Sequence, residues 1–355
     1  MARAAVAALI AVLLLAATAA AKVPRDFFGV MANGPLDAPG FPLDAESAAM
    51  RSAGVGTERM EIAWDSVEPQ PGQYDFTLPD RKILAAARAG IDVLGLIVRT
   101  PSWAAQQPGQ PFSPPRDPAD YAAFATALVA RYGPGGELWR QHPDITPRLV
   151  RAWQIWNEPN IAVYWTRQPF MRGYARLLNT AYAAIKRADP KATVVMAGLA
   201  NFSWRDLRRL FRRAGASLRF DVAAVHPFSG RPSNTVKIVA LNRRVLDANG
   251  ARTRPIWLTE LTWSSAKGHK RKLTKNWETT EAGQAQRLRT AYRLFVKARK
   301  LLRIQRIYWY TWVTVDRDSP NSFDYSGLRT ELPNGRVVDK PAARAFRAVV
   351  RRYGG

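Results

Sequence analysis

Short apolar runs and amphipathic stretches alternate along this chain almost without interruption. The runs are rich in Val, Ile, Leu and aromatic residues, as buried strands are. The stretches between them carry apolar residues three and four apart, as helices packed on one face do. Strands are predicted over 27–31, 57–64, 91–98, 149–156, 193–197, 220–225, 256–259 and 304–313. Helices are predicted over 42–53, 80–89, 117–132, 170–188, 204–214, 234–248, 281–302 and 340–351. Local punctuation agrees. Gly54 and Gly90 stand where helices should stop, and Asp117-Pro118 reads as an N-cap followed by a first-turn proline. Eight strand–helix units without a repeat or a linker predict a closed α/β barrel, the (β/α)8 TIM barrel, as a single domain over 22–355. An open, doubly wound sheet is the alternative. It usually carries a glycine-rich phosphate loop after the first strand, where this chain has Ala32-Asn33-Gly34-Pro35.

Polar residues interrupt this pattern at the strand ends. The fourth run passes through Trp153-Gln154-Ile155-Trp156 and changes abruptly to Asn157-Glu158, with Pro159 stopping the strand. The seventh, Ile256-Trp257-Leu258-Thr259, ends in Glu260. Arg59 or Glu61 closes the second strand, Arg99 and Trp103 follow the third, His226 ends the sixth, and Trp309 or Trp312 ends the eighth. In a barrel these positions meet at one rim, the face on which barrel enzymes do their chemistry. Stability alone does not need polar side chains there.

With these residues in place the chain resembles the clan A glycoside hydrolases, barrel enzymes with catalytic glutamates on strands four and seven. Trp156-Asn157-Glu158-Pro159 carries the resemblance, supported by Glu260 and by Trp312. The start Phe28-Gly29-Val30 and the stretch from Gly335 to Phe346 are most similar to families 5 and 39. The resemblance implies a retaining hydrolase acting on a β-linked saccharide, with Glu158 as acid/base and Glu260 as nucleophile. It also implies that Asn157 bonds the sugar 2-hydroxyl, that Arg59 lies under Glu260 and keeps it ionised, that His226 lines the −1 subsite, and that Trp312 stacks under the ring. Trp103 is a further candidate for contact with substrate. A retaining mechanism needs carboxyls about 5–5.5 Å apart, one charged and one protonated. A guanidinium beside Glu260 and aromatic walls around Glu158 would divide them in that way. The chain departs from its relatives at Phe228, where they often carry a tyrosine that bonds the nucleophile; Tyr308 and Tyr310 are the candidates to replace it.

Composition adds location and charge. Met1-Ala2-Arg3, the apolar run from Ala4 to Ala20 and the Ala19-Ala20-Ala21 site predict a secretory signal over 1–21, with a retained membrane anchor as the rival. The chain has no cysteine, so an exported protein must rely on its core rather than on disulfides. Formal charge is 53 − 28 = +25, or +24 once Arg3 is removed. Such a surface attracts polyanions. Lys267, Lys270, Arg271, Lys272 and Lys275 lie in the loop after strand seven, where they would meet an acidic glycan on the catalytic face. The same run also reads as a solvated loop. Arg205, Arg208, Arg209, Arg212 and Arg213 have the spacing of a helix's wet face. No nucleic-acid module accompanies the charge, no cofactor signature is present, and three histidines without an H-E-x-x-H give no metal site. The pattern sets no oligomeric state. Two other functions stay open: a non-catalytic sugar-binding barrel, and a basic protein that docks on anionic wall polymers.

Overall fold

The apolar runs are strands in the computed structural model, which describes residues 22–214, 218–269 and 277–355. The signal predicted over 1–21 and most of the basic loop, 270–276, lie outside the described residues. The strands are β1 (Phe28–Met31), β2 (Thr57–Ala63), β3 (Asp92–Val98), β4 (Ala152–Ile155), β5 (Thr193–Val195), β6 (Ala223–Ala224), β7 (Ile256–Leu261) and β8 (Ile304–Trp309). They pair in the order β5-β4-β3-β2-β1-β8-β7-β6, every pair parallel. The ends of that order meet through bridges from Val195 to Val222 and from Leu199 to Val225, so the sheet closes on itself.

Among the described residues eight longer helices surround it, besides short ones at Trp64–Val67 and Glu137–Gln141: α1 (Leu43–Ser52), α2 (Thr77–Ala89), α3 (Pro118–Tyr132), α4 (Met171–Ala188), α5 (Ser203–Ala214), α6 (Pro232–Ala248), α7 (Glu281–Leu302) and α8 (Pro341–Tyr353). Their starts and stops are chemical. Asp117 accepts from Ala119 N at 2.9 Å to cap α3, and Gly90 ends α2 at φ 66°, where a side chain would be strained. The α5 arginines are exposed while Leu207, Leu210 and Phe211 face the barrel, as their spacing requires.

The barrel lumen is layered by the two-residue period of its strands. Leu94, Ala152, Val195, Val222, Ala224, Trp257 and Tyr308 form an apolar floor. Two residues further on lies a polar layer: Gln154 above Ala152, His226 above Ala224, Thr259 above Trp257. Arg59, two beyond Thr57, joins it. Thr57 itself bonds the Tyr308 hydroxyl in the floor at 3.1 Å.

Two local features were not predicted. The eighth apolar run is not one strand: β8 ends at Trp309, and the chain continues into β9 (Val313–Thr314). With β10 (Arg329–Glu331) and β11 (Val337–Asp339), β9 makes a small separate sheet before α8. Strands of two or three residues are too short to show a period. Among the described residues, no helix is long and apolar enough to cross a membrane.

Candidate active site

The site is built where β4 and β7 leave the barrel. Past Ile155 the backbone bends out of strand geometry, with Trp156 at φ 69° and Glu158 at φ 42°. Left-handed backbone at non-glycine residues costs on the order of 1–3 kcal/mol each, and persists only where the surroundings hold it. Here they do. Trp156 N donates to Ile97 O at 2.9 Å, its indole donates to Tyr164 O at 2.6 Å, and Glu158 N donates to Gly198 O at 3.2 Å. The Glu158 carboxyl is thereby turned over the lumen.

On β7 a bulge does the same work. Leu258 pairs with Ile307 and Leu261 with Trp309, so Thr259 and Glu260 stand opposite Tyr308 alone. The extra residue lets two successive side chains reach the lumen, which strict alternation forbids. Thr259 joins the polar layer and Glu260 lies just above it.

A hydrogen-bonded ring ties these groups together. Arg59 donates to Gln154 Oε1 at 2.7 Å, to Glu260 Oε1 at 2.8 Å and to Asn157 Oδ1 at 2.8 Å. Gln154 Nε2 donates to Thr259 Oγ1 at 3.2 Å. The two nitrogens of His226 bond Thr259 Oγ1 at 2.9 Å and Glu158 Oε1 at 2.7 Å. Gly198 makes room for the imidazole: a Cβ there would lie 2.0 Å from His226 Nε2. One oxygen each of Glu158 and Glu260 and one nitrogen of His226 all lie within 4.8 Å of one another. Among the described residues this trio is the only cluster with metal-ligand chemistry. Arg59 bonds Glu260, and Glu158 and Thr259 bond the two imidazole nitrogens, so the trio is held by hydrogen bonds within the ring.

Electrostatics follow from burial. Loss of water pushes the Glu158 carboxyl up to about 7, against a downward pull from Arg59. Burial also raises Glu260, with His226 and Arg59 opposing it and Glu158 adding to it. Burial holds His226 down to about 4, against the charge of Glu260, so the imidazole is neutral at pH 7. Arg59 contacts Glu260 directly and Glu158 does not share it.

Above the trio opens a cleft of ≈ 420 Å³, lined by Arg59, Asn157, Glu158 and Glu260 together with Glu61, Tyr164, Phe228, Tyr310, Phe323 and other residues. His226 lies behind Glu158, buried, and does not line the cleft. Two expected contacts lie elsewhere. Trp312 is buried, and its indole donates to Glu46 Oε2 at 2.8 Å, so it packs between β8 and α1 rather than under a sugar. Trp103 packs edge-on against Trp64 at 5.6 Å and donates to Glu68 O at 3.1 Å. Neither lines the cleft. In both cases an acceptor distant in sequence, the Glu46 carboxylate or the Glu68 backbone carbonyl, holds the indole, and spacing along the chain does not reveal it. Of the two candidate tyrosines, Tyr308 belongs to the floor and Tyr310 to the cleft wall, where it shares the cleft with Phe228. Gln154 and Thr259 escaped the sequence reading; a buried amide inside an otherwise apolar strand was the available signal for Gln154.

The beta-galactosidase model of glycoside hydrolase family 42 matches residues 42–108, a stretch that runs from α1 past β3 and includes Arg59, Glu61 and Trp64. No curated protein matches the sequence. Among solved structures, the chain is similar to a family 39 glycoside hydrolase from the gut symbiont Bacteroides cellulosilyticus WH2, at 20% identity and a TM-score of 0.67. That alignment covers 92% of this chain but only 63% of the other, so this chain spans less than two thirds of that relative. It is similar to a family 51 alpha-L-arabinofuranosidase from Bifidobacterium longum, at 14% identity and a TM-score of 0.64, over 96% of this chain and 75% of that one. It is also similar to the GH53 catalytic domain of Ignisphaera aggregans, at 18% identity and a TM-score of 0.62, over 92% and 97%. The chain thus resembles the clan A glycoside hydrolases, in sequence over residues 42–108 and in fold over nearly all of its described length.

Proposed function

We propose that the chain is an exported retaining glycoside hydrolase that cleaves a β-linked poly- or oligosaccharide by double displacement. The observation that carries this reading is the pair Glu158 and Glu260, with oxygens within 4.8 Å across the cleft floor and a guanidinium bonded to Glu260 and not to Glu158. A spacing of that order fits a direct attack and leaves no room for an intervening water. The cation beside Glu260 assigns it the negative charge. Glu158, its carboxyl raised by burial and paired with a neutral imidazole, holds the proton.

In the first step Glu260 attacks the anomeric carbon while Glu158 gives its proton to the departing glycosidic oxygen. Esterification removes the charge on Glu260, so Glu158 then ionises more readily. In the second step Glu158 takes a proton from water, the water oxygen displaces Glu260, and both carboxyls return to their starting states. Asn157 is held by Arg59 at the edge of the cleft and reads the sugar hydroxyl next to the anomeric centre. His226 fixes Glu158 from behind.

The test is sugar release from a panel of aryl β-glycosides and neutral and uronate-bearing polysaccharides, with wild type and Glu260→Gln in parallel. Activity that collapses in the variant supports the assignment. Activity that survives overturns Glu260 as nucleophile, and no release from any substrate moves the reading to a sugar-binding barrel. For export, sequencing the N-terminus of protein recovered from the medium should return Lys22 as its first residue.

A further inference from the structure

The surface and the cleft of this protein differ in sign. The chain as a whole is strongly basic, yet the cleft holds three carboxyl side chains, Glu61, Glu158 and Glu260, against one guanidinium among the described residues. Two of the three belong to the hydrogen-bonded ring. Glu61 does not. It lies on β2 two residues beyond Arg59, so the strand's period turns it to the same side, and its side chain lines the cleft.

The cations near Glu61 are committed to other acids. Arg59 is bonded to Glu260, Gln154 and Asn157. Arg99 pairs with Asp65 at 2.7 Å. Lys82 pairs with Asp37 and donates to Ala32 O at 2.7 Å. Among the described residues no side chain or backbone group donates to the Glu61 carboxylate. It is a partly buried carboxyl with no cation paired to it, and burial pushes it up, with Arg99 the largest opposing charge. Such a group is costly to keep unless something fills its lone pairs. Its side chain opens on the cleft. Tyr164 and Tyr310 line that space too, and both hydroxyls feel the charges of Glu61 and Glu260 together.

We infer that Glu61 is a specificity-determining residue that accepts hydroxyl hydrogens from a neutral sugar in the cleft and repels sugars bearing a carboxylate. The inference rests on the glycosidase reading and names its substrate class. A carboxylate with free lone pairs matches two neighbouring hydroxyls, each bond strengthened by the charge. A uronate in the same place would set like charges together where little water screens them.

The experiment pairs sugars that differ only at C6. Hydrolysis of 4-nitrophenyl β-D-glucoside and β-D-galactoside is compared with that of the corresponding glucuronide and galacturonide, in wild type, Glu61→Gln and Glu61→Ala. Binding of the matching methyl glycosides is measured separately by saturation-transfer NMR, and thermal melting checks that each variant is folded. Wild type is expected to favour the neutral member of a pair in rate and in binding. Glu61→Gln should bind the neutral sugar about 10- to 100-fold more weakly, since a charged hydrogen bond is lost. It should also narrow the gap to the uronide. Preserved discrimination in both variants overturns the inference, as does wild-type preference for the uronide or binding of none of these sugars. A neutral preference in binding that depends on Glu61, without turnover of any aryl glycoside, would sink the hydrolase reading and leave the role of Glu61 standing.

Discussion

Arg59 Nη1 lies 2.8 Å from Glu260 Oε1, and the guanidinium has no exposure to solvent. One cation thus holds the charge beside Glu260, the amide of Asn157 and the amide of Gln154. Replacing Arg59 by Lys keeps the charge but not the fork that reaches three acceptors. Arg59→Lys is expected to lower kcat/KM by at least about 100-fold, an oriented charged contact to the reacting group being lost. Arg59→Ala should in addition lower the melting temperature, because it leaves a buried carboxylate unpaired. Kinetics on one aryl glycoside and a thermal melt check both.

The acid is expected to set the alkaline limb of the activity. Glu158 must carry its proton into the first step, and burial places that proton's loss at about pH 7. The sign is then fixed: kcat/KM should fall as pH rises through about 7, not as it drops toward it. His226, held down to about 4, is neutral throughout this range and should add no inflection. A pH profile that stays flat to pH 9 would mean that Glu158 is not the proton donor.

Gly198 offers a test of positioning without touching a reactive group. A Cβ there would lie 2.0 Å from His226 Nε2, so Gly198→Ala should push the imidazole off Glu158. The expected cost is about 1–3 kcal/mol of stability from overpacking. The rate should drop well beyond what partial unfolding explains, and the alkaline limb should move. A variant that melts lower yet keeps wild-type kcat and pH profile would show that His226 does not orient Glu158.

Trp312 separates packing from recognition. Its indole donates to Glu46, the Arg329 guanidinium lies 5.8 Å from its ring centre, and the ring does not line the cleft. Trp312→Phe should leave KM within about twofold while costing about 1–3 kcal/mol, because buried Glu46 keeps Arg329 but loses the indole donor and the smaller ring leaves a cavity. A large rise in KM with unchanged stability would restore it as a sugar platform.

The fold was legible because parallel strands covered on both faces must be apolar throughout, so each announces itself as a run between helical patterns. Asp117 and Gly90 could be read for the same local reason. Glu158 and Glu260 stood out as carboxylates at the ends of such runs. The remaining features depend on contacts between positions far apart in sequence. Whether Trp312 meets a sugar or Glu46 is decided by α1, and whether Trp103 is a platform or a prop is decided by Glu68. Arg59 and Glu61 share a strand and a face, and only the positions of Glu260, Arg99 and Lys82 show which of them has a partner. The bulge that turns Glu260 inward leaves no mark on the composition of β7.

A strand of unbroken alternation would have to choose between Thr259 and Glu260; β7 keeps both through one additional residue. Deleting Thr259 would restore a regular ladder and draw Glu260 one rung deeper, into the place where Thr259 now bonds His226 and Gln154. The proposed nucleophile would thereby be withdrawn from the cleft. On the mechanism proposed above, one codon therefore decides whether this scaffold presents its attacking carboxylate at the cleft.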